Sequence, residues 1–390
     1  MKKDFLKKAL VFGMIVLFIG MSITPLIGTK VVKKSTIPIF KGRTLYVGGI
    51  GPGNYTSIQA AINDAFDGDT IFVFNGTYFE SLFVNKSITF IGEDRNTTVI
   101  DARKMGDVFF IVTDFVNISG FTIRKSGGVV PAGIKVRSSS YITITDNIIE
   151  NNDEGIWIYD GASYNLIKNN ILSNNGFGIQ LYKAKNNNIT DNIIQKGTFG
   201  VYLFINANEN IVENNMIKNY ASGIHIDDSS NHLISKNDIS DCNYGICGKK
   251  SSNNLIGINN INNSNCGIWL QRFTKSVITQ NHISSNNRAI YMKTTSSNNE
   301  ISYNIIESNT WGIYLEYSSN NNQIIFNTFL HNFRNEFFMD CSNIWDQNYW
   351  GRSRVFPKFI IGGKIIPPGY GYLFPWFEFD RHPAQEPYNI

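Results

Sequence analysis

A phrase of glycine, isoleucine, any residue and an apolar residue returns every 22 or 23 positions between residues 133 and 329. It stands at Gly133-Ile134, Gly155-Ile156, Gly178-Ile179, Gly200-Val201, Gly223-Ile224, Gly245-Ile246, Gly267-Ile268, Ala289-Ile290 and Gly312-Ile313. A second phrase, apolar-x-x-Asn-x-apolar, follows each one by about the same offset. Its asparagines read as Asn147, Asn169, Asn192, Asn214, Asn237, Asn259, Asn281, Asn304 and Asn327. A fixed period of this length means a stacked solenoid, since one unit cannot bury its own apolar residues. Side chains in each phrase alternate in and out, the signature of short strands, and no helix-length apolar stripe fits in the remainder of a unit. The expected fold is therefore all-β: a single-stranded parallel β-helix of about twelve coils of 22–23 residues. Every Ile should lie on the Ile of the coil below. The asparagines should form an amide ladder at a bend, and the glycines should allow positive φ or close approach.

The ends of such a stack expose unpaired strand edges and need caps. Thr56 and Gln59 suit a capping box, Ile58, Ala61, Ile62 and Ala65 share one helical face, and Gly68 is a stop. A short helix is thus expected to close the N-terminal end. Less regular strands are expected at 69–74, 78–84, 87–91, 99–101, 108–112 and 116–123. Beyond 329 the period fails. Residues 359–366 read as a hairpin turning at Gly362-Gly363. Residues 367–390, rich in aromatics and Pro, read as an irregular cap folding over the last coil, which would bury Trp376, Phe377 and Phe379. The expected division is 1–34, 44–345 as the β-helix, and 346–390 as the capping tail.

Residues 1–8 are basic and 9–27 form an apolar run of about nineteen residues, which suits either a secretory signal or a membrane anchor. Both imply export. The formal charge of +4 rests on this end: seven Lys against Asp4 give 7 − 1 = +6 for residues 1–34, leaving 4 − 6 = −2 for the remainder. That balance excludes a nucleic-acid footprint.

The opening phrases Tyr55-Thr-Ser-Ile-Gln-Ala-Ala-Ile, Gly68-Asp-Thr-Ile and Gly76-Thr-Tyr resemble the start of pectin-lyase-like right-handed β-helix proteins. The Gly-Ile and Asn-x-Ile repeats resemble the NosD-like group of that superfamily, the carbohydrate-binding and sugar-hydrolase repeats. The resemblance covers about residues 44–350. It implies a right-handed coil, an exported protein associated with polysaccharide, or a copper-delivery accessory protein. The paired acidic motifs of polygalacturonases and the Asp-Pro-His motif of alginate epimerases are absent.

The second position after each glycine points outward. That column reads Lys135, Trp157, Gln180, Tyr202, His225, Cys247, Trp269, Tyr291, Tyr314. Trp157, Tyr202, Trp269, Tyr291 and Tyr314 make five of the nine aromatic, which suits stacking on sugar rings. The alternatives are an aromatic ladder serving stability alone, or a strip covered by the tail. The next outward column holds Arg137, Tyr159, Tyr182, Phe204, Asp227, Lys249, Gln271, Lys293 and Glu316. Asp227 and Glu316 lie four coils apart, about 19 Å, too far for a glycosidase pair. Asp227, Asp228, His225 and Lys249 are the one candidate catalytic cluster, with Ca²⁺ as cofactor if the activity is that of a lyase; otherwise no cofactor is expected. Cys242, Cys247 and Cys266 fall at different offsets from their glycines, and Cys341 stands apart. Buried thiols, a disulfide, or a soft-metal site with His225 are the readings open to them. The expected function is non-catalytic binding of a polysaccharide or surface partner, with a polysaccharide lyase or hydrolase as the alternative.

Overall fold

The computed structural model describes residues 42–366 and 372–389. The basic start and the apolar run lie outside them, and among the described residues no helix is long and apolar enough to cross a membrane. The chain winds into a parallel β-solenoid of about 14 turns, two more than the twelve expected.

Each turn contributes three short strands, one to each of three parallel sheets. The front sheet runs through Leu82–Val84, Phe109–Ile111, Ala132–Arg137 and Glu154–Tyr159, and on to Arg334–Met339. The second sheet holds Thr44–Val47, Thr70–Val73, Thr143–Thr145 and their counterparts. The third holds Gly76–Tyr78, Ile148–Glu150 and theirs. Registers are strict. Ile134, Ile156, Ile179, Val201, Ile224, Ile246, Ile268, Ile290 and Ile313 stand one above another and are fully buried. Interlocking of like side chains thus replaces a globular interior. The front-sheet glycines are required by close approach rather than by their own torsions. A Cβ on Gly245 would meet Gly267 O at 2.6 Å and the Ile261 methyl at 2.6 Å.

Most corners of the regular coils are built alike: a left-handed residue, then a buried side chain that bonds up and down the stack. Between the second and third sheets the buried ladder is Asn147, Asn170, Asn192, Asn215, Asn237, Asn259, Asn281, Asn304, Asn327, Asn348. Asn169 and Asn214 are not its members. They are the left-handed residues one place earlier, with φ of 55° and 57°. Asn tolerates that torsion better than most residues, which is why Asn-Asn doublets occur there. A second ladder, Asn165, Asn187, Asn210, His232, Asn254, Ser276, Asn299, Asn322, Asn343, turns the front sheet into the second. A third, from third sheet to front, has Asn152 and Asn175, then breaks, and resumes at Ser264, Asn286, Asn309 and Asn332. At the break stand Gly197 and Tyr220, which supply no such side chain. There strand pairing continues through the corner, as Ile193–Phe204 and Met216–Asp227, while Lys196 and Asn219 keep the left-handed torsion, with φ of 64° and 61°.

The N-terminal helix is Ile58–Asp64. Its N-cap is Ser57, one residue later than the sequence pattern suggests, with Oγ accepting from Ala60 N at 3.3 Å. Glu80 rather than Gln59 satisfies the remaining first-turn donors, accepting from Ile58 N and Gln59 N at 2.8 and 2.9 Å. The helix stops at an extended Ala65, before Gly68.

The C-terminal cap is regular. Lys358–Ile366 is one unbroken strand, with Gly362 and Gly363 in its middle, and it pairs antiparallel with Tyr372–Asp380. A Cβ on Gly362 would strike Phe338 O at 2.4 Å, so here too glycine serves close packing and not a turn. The hairpin ends two ladders with carboxylates: Glu378 accepts from Asn343 N (2.8 Å) and Trp345 Nε1 (2.7 Å), and Asp380 from Asn348 N (2.9 Å) and Trp350 Nε1 (2.9 Å). In the column below Ile313 the next residue is Glu336, a buried carboxyl met by Lys358 of the hairpin. The last residues run along the opposite flank, where Ala384 N donates to Asn348 O and the Tyr388 ring meets Tyr303 and Phe326.

Candidate functional site

The front sheet carries three outward columns in register. The central one is Lys135, Trp157, Gln180, Tyr202, His225, Cys247, Trp269, Tyr291, Tyr314, Phe337. On one side stand Glu154, Phe177, Phe199, Ser222, Tyr244, Cys266, Arg288, Trp311 and Arg334. On the other stand Tyr159, Tyr182, Phe204, Asp227, Lys249, Gln271 and Lys293.

Rings gather in two patches. In the first, Trp157 stacks on Tyr159 at 4.4 Å, and Tyr202 stacks on Phe199 at 4.8 Å and Phe204 at 5.0 Å. In the second, Tyr314 stacks on Phe337 at 5.1 Å and meets Tyr291 and Trp311 edge-on at 5.3 and 5.4 Å. Trp157, Tyr202, Tyr291 and Tyr314 are half-buried and open outward. Trp269 differs: it is 8% exposed, packed by Tyr244 and Tyr291 and overlain by Lys249 and Lys293 at 5.6 and 5.1 Å. Cations accompany the second patch generally, with Arg288 5.0 Å from the Tyr291 ring and Arg334 4.8 Å from Trp311. The hairpin of the tail stacks on the end of the sheet and residues 382–388 lie on the other flank, against Asp346, Thr328 and Tyr303, away from the strip.

Between the patches the columns narrow to small side chains. His225, Cys247, Ser222 and Cys266 point outward yet are buried by their aromatic neighbours. His225 sits edge-on to Phe199 and Tyr202 at 5.0 and 5.1 Å. Burial pushes its pKa down to about 4, with Lys249 adding to the effect, so the imidazole is neutral. Asp227 registers with Lys249 one rung on, and burial raises its carboxyl against the opposing pull of Lys249 and Lys250. The structure therefore places His225, Asp227 and Lys249 together. Asp228 is apart from them, an exposed corner residue at φ 52°. No disulfide forms: Cys242, Cys247, Cys266 and Cys341 are free and buried, and burial lifts the Cys247 thiol to about 12.

One titratable group escapes sequence reasoning. Glu154 is 6% exposed, and burial raises its pKa to about 8. The Gln180 amide, turned with its NH₂ toward the carboxyl, lies 3.0 Å from Oε2. Beside it, Lys135 Nζ reaches Asp107 Oδ1 and Val130 O, both at 2.8 Å, and overlies Trp157 at 4.9 Å. Asp107 and Lys135 also border a recess of ≈ 230 Å³ under the 127–131 loop. The signal was position: Glu154 is the one acid in its column from 154 to 334.

Comparison with known proteins bears on the fold. The family described as right handed beta helix region matches residues 88–219, and the periplasmic copper-binding protein (NosD) family matches residues 200–369. The chain is a NosD-like right-handed β-helix repeat protein. No curated protein matches its sequence. Among solved structures, the NosD-like chain is similar to a mannuronic acid specific polysaccharide family 6 lyase from human gut microbiota. That match has a TM-score of 0.53 and 14% identity, covering 75% of this chain and 84% of that one. It is also similar to the GH136 lacto-N-biosidase from Eubacterium ramulus (0.55, 12%, 78% and 67%). A third is the A-module of the Azotobacter vinelandii mannuronan C-5 epimerase AlgE4 (0.50, 15%, 77% and 95%). At these identities the likeness is one of fold.

The family description names copper, and the donor set among the described residues does not fit it. Copper sites need imidazole, thiolate or thioether donors grouped on one point. The softest pair is His225 Nε2 and Cys247 Sγ, 3.9 Å apart, with the thiol held protonated by burial. Among the described residues no three His, Cys, Asp or Glu side chains converge on a metal position.

Proposed function

We propose that this NosD-like protein is an exported, non-catalytic binding protein that holds a polysaccharide lengthwise along its front sheet. One observation carries the reading: half-buried, uncovered rings stand in register in two patches of one sheet, Trp157 with Tyr202 in the first and Tyr291, Tyr314 and Phe337 on successive rungs in the second. Trp157 and Tyr314 are seven rungs apart, about 34 Å at the strand spacing, room for several sugar units in a line. Ring faces match the apolar faces of sugars, and Lys249, Lys293, Arg288 and Arg334 provide donors for the polar edges. Those cations favour an acidic chain at the second patch. The carboxylates suit structure better than catalysis: Tyr291 donates to Glu316, and Asp107 accepts from Lys135 and Ala132 N. The neighbours named above that act on polysaccharide share the fold and make the ligand class a reasonable one to test.

The test is isothermal titration with polymannuronate, polygalacturonate and a neutral glucan, with product release assayed in parallel. Trp157→Ala and Tyr314→Ala should each weaken binding of an acidic chain about ten-fold, since each deletes one stacking platform. Wild-type affinity in both variants defeats the platform. Turnover of any of the three glycans replaces the reading with the enzymatic one, at Asp227, His225 and Lys249.

A further inference from the structure

The front sheet does not end at Phe337. The capping hairpin adds two rungs to it, and their outward side chains are Phe359 and Ile361 from one strand and Phe377 and Phe379 from the other. These four are 58%, 55%, 49% and 44% exposed. Phe359 contacts Phe379 at 5.0 Å and Phe377 at 6.3 Å, so they form one plate rather than scattered residues. The loop leading into the hairpin adds Val355 and Phe356, 89% and 80% exposed. A contiguous apolar surface of this kind on a folded chain marks a place of contact.

Two exposed cations, Arg352 and Arg381, stand at the base of the hairpin. Lys364 lies on its other face, beside Glu378 and 3.9 Å from the Trp376 ring. The hairpin's own carboxylates, Glu378 and Asp380, are turned inward to close the ladders. A second copy meeting this plate across a two-fold axis would set cation against cation. An anionic, apolar partner meets both features. Aromatic rings settle at the headgroup boundary of a bilayer, and Lys and Arg beside them are drawn to anionic lipid. The same sequence carries the apolar run at residues 9–27, long enough for a bilayer.

We propose that the C-terminal hairpin is a lipid-docking surface that seats the end of the solenoid on an anionic membrane through Phe359, Ile361, Phe377 and Phe379. The geometry is that of an exposed apolar plate with two arginines at its base, and it requires no membrane-crossing helix. It stands independently of the polysaccharide reading, which concerns the rungs before it.

The test places an environment-sensitive fluorophore on the full chain at Phe377→Cys, and separately at Phe356→Cys. The four native thiols are buried and stay unlabelled. A control label goes at Tyr141→Cys, an exposed corner far along the rod. Each protein is mixed with phosphatidylglycerol vesicles or phosphatidylcholine vesicles. Both hairpin labels should brighten roughly two-fold or more and shift to the blue with the anionic vesicles only, and salt should reverse part of the change. The control should not move, whatever residues 1–41 do. Unchanged emission at both hairpin sites overturns the proposal. Emission that rises with protein concentration alone overturns it in favour of self-association, and emission that rises only with soluble polysaccharide overturns it in favour of a longer glycan strip. Phe356→Cys keeps the test decisive if the label at 377 disturbs the hairpin.

Discussion

Replacing Asn237 with alanine should cost far more than its size suggests. The Asn237 amide makes four hydrogen bonds in a position 1% exposed. Its Nδ2 donates to Val212 O at 2.9 Å and Asn259 Oδ1 at 3.0 Å, and its Oδ1 accepts from Asn215 N and Asn215 Nδ2, each at 3.0 Å. Alanine removes all four. It leaves two donors of Asn215 and the Val212 carbonyl facing a gap between rungs. At about 1 kcal/mol per net bond, and more where a buried group is orphaned, the loss is about 4 kcal/mol. In a solenoid this appears first as local opening of the adjacent rungs. Hydrogen exchange should therefore quicken about a thousand-fold at the amides of Val212, Ile234 and Ile256, three decades at about 1.4 kcal/mol per decade. The control is Asn214→Ala, one residue away. Asn214 is exposed at a left-handed corner and reaches only Asp191, so its loss should stay within about 0.5 kcal/mol. Equal exchange rates in the two variants would refute the assignment of the ladder to Asn237 and the reasoning from unpaired groups.

Glu154→Gln should stabilise the fold at neutral pH. The folded carboxyl stays protonated up to about 8 while the unfolded one ionises near 4.5, so stability is lost as pH rises between the two; at pH 7 the difference is about 3 kcal/mol, and chemical denaturation at pH 4.5 and 7 reads it. His232 has the opposite sense. Burial lowers its folded pKa to about 3, so its contribution is complete above about 6.5 and drains as pH falls toward 3. His232→Asn restores the usual ladder residue and should add about 2 kcal/mol at pH 5 with little change at pH 8, read from melts at both values. All four thiols should resist maleimide in the native protein and react only on unfolding, as mass spectrometry of labelled chains will show; rapid labelling of Cys247 would contradict its burial.

The coil itself was legible because the Gly-Ile phrase recurs with little variation and because strand alternation assigns Ile inward. The corners were half legible. At Asn169-Asn170 and Asn214-Asn215 the sequence offers two asparagines, and only the stacked backbone shows that the first turns the chain and the second bonds. The other two ladders were hidden because their occupants change from rung to rung, Asn giving way to His232, Ser276 or Gly197. Front-sheet direction was readable, but exposure was not. Cys247 and Trp269 point outward and are still buried, since Tyr244, Tyr291 and the lysines above them lie across neighbouring rungs. The hairpin was misread because Gly362-Gly363 suggests a turn, whereas there the glycine at 362 lets the strand pass beneath Phe338.

Glu378 and Asp380 act as a plug: they satisfy whatever donors the final turn presents, with no reference to how many turns came before. The two ends of the rod are thus independent of its middle. Duplication or loss of a whole 22-residue unit would lengthen or shorten the front strip by one step and leave both closures as they are. The reach of this surface is then a counted quantity, open to change by recombination without redesign of any single residue.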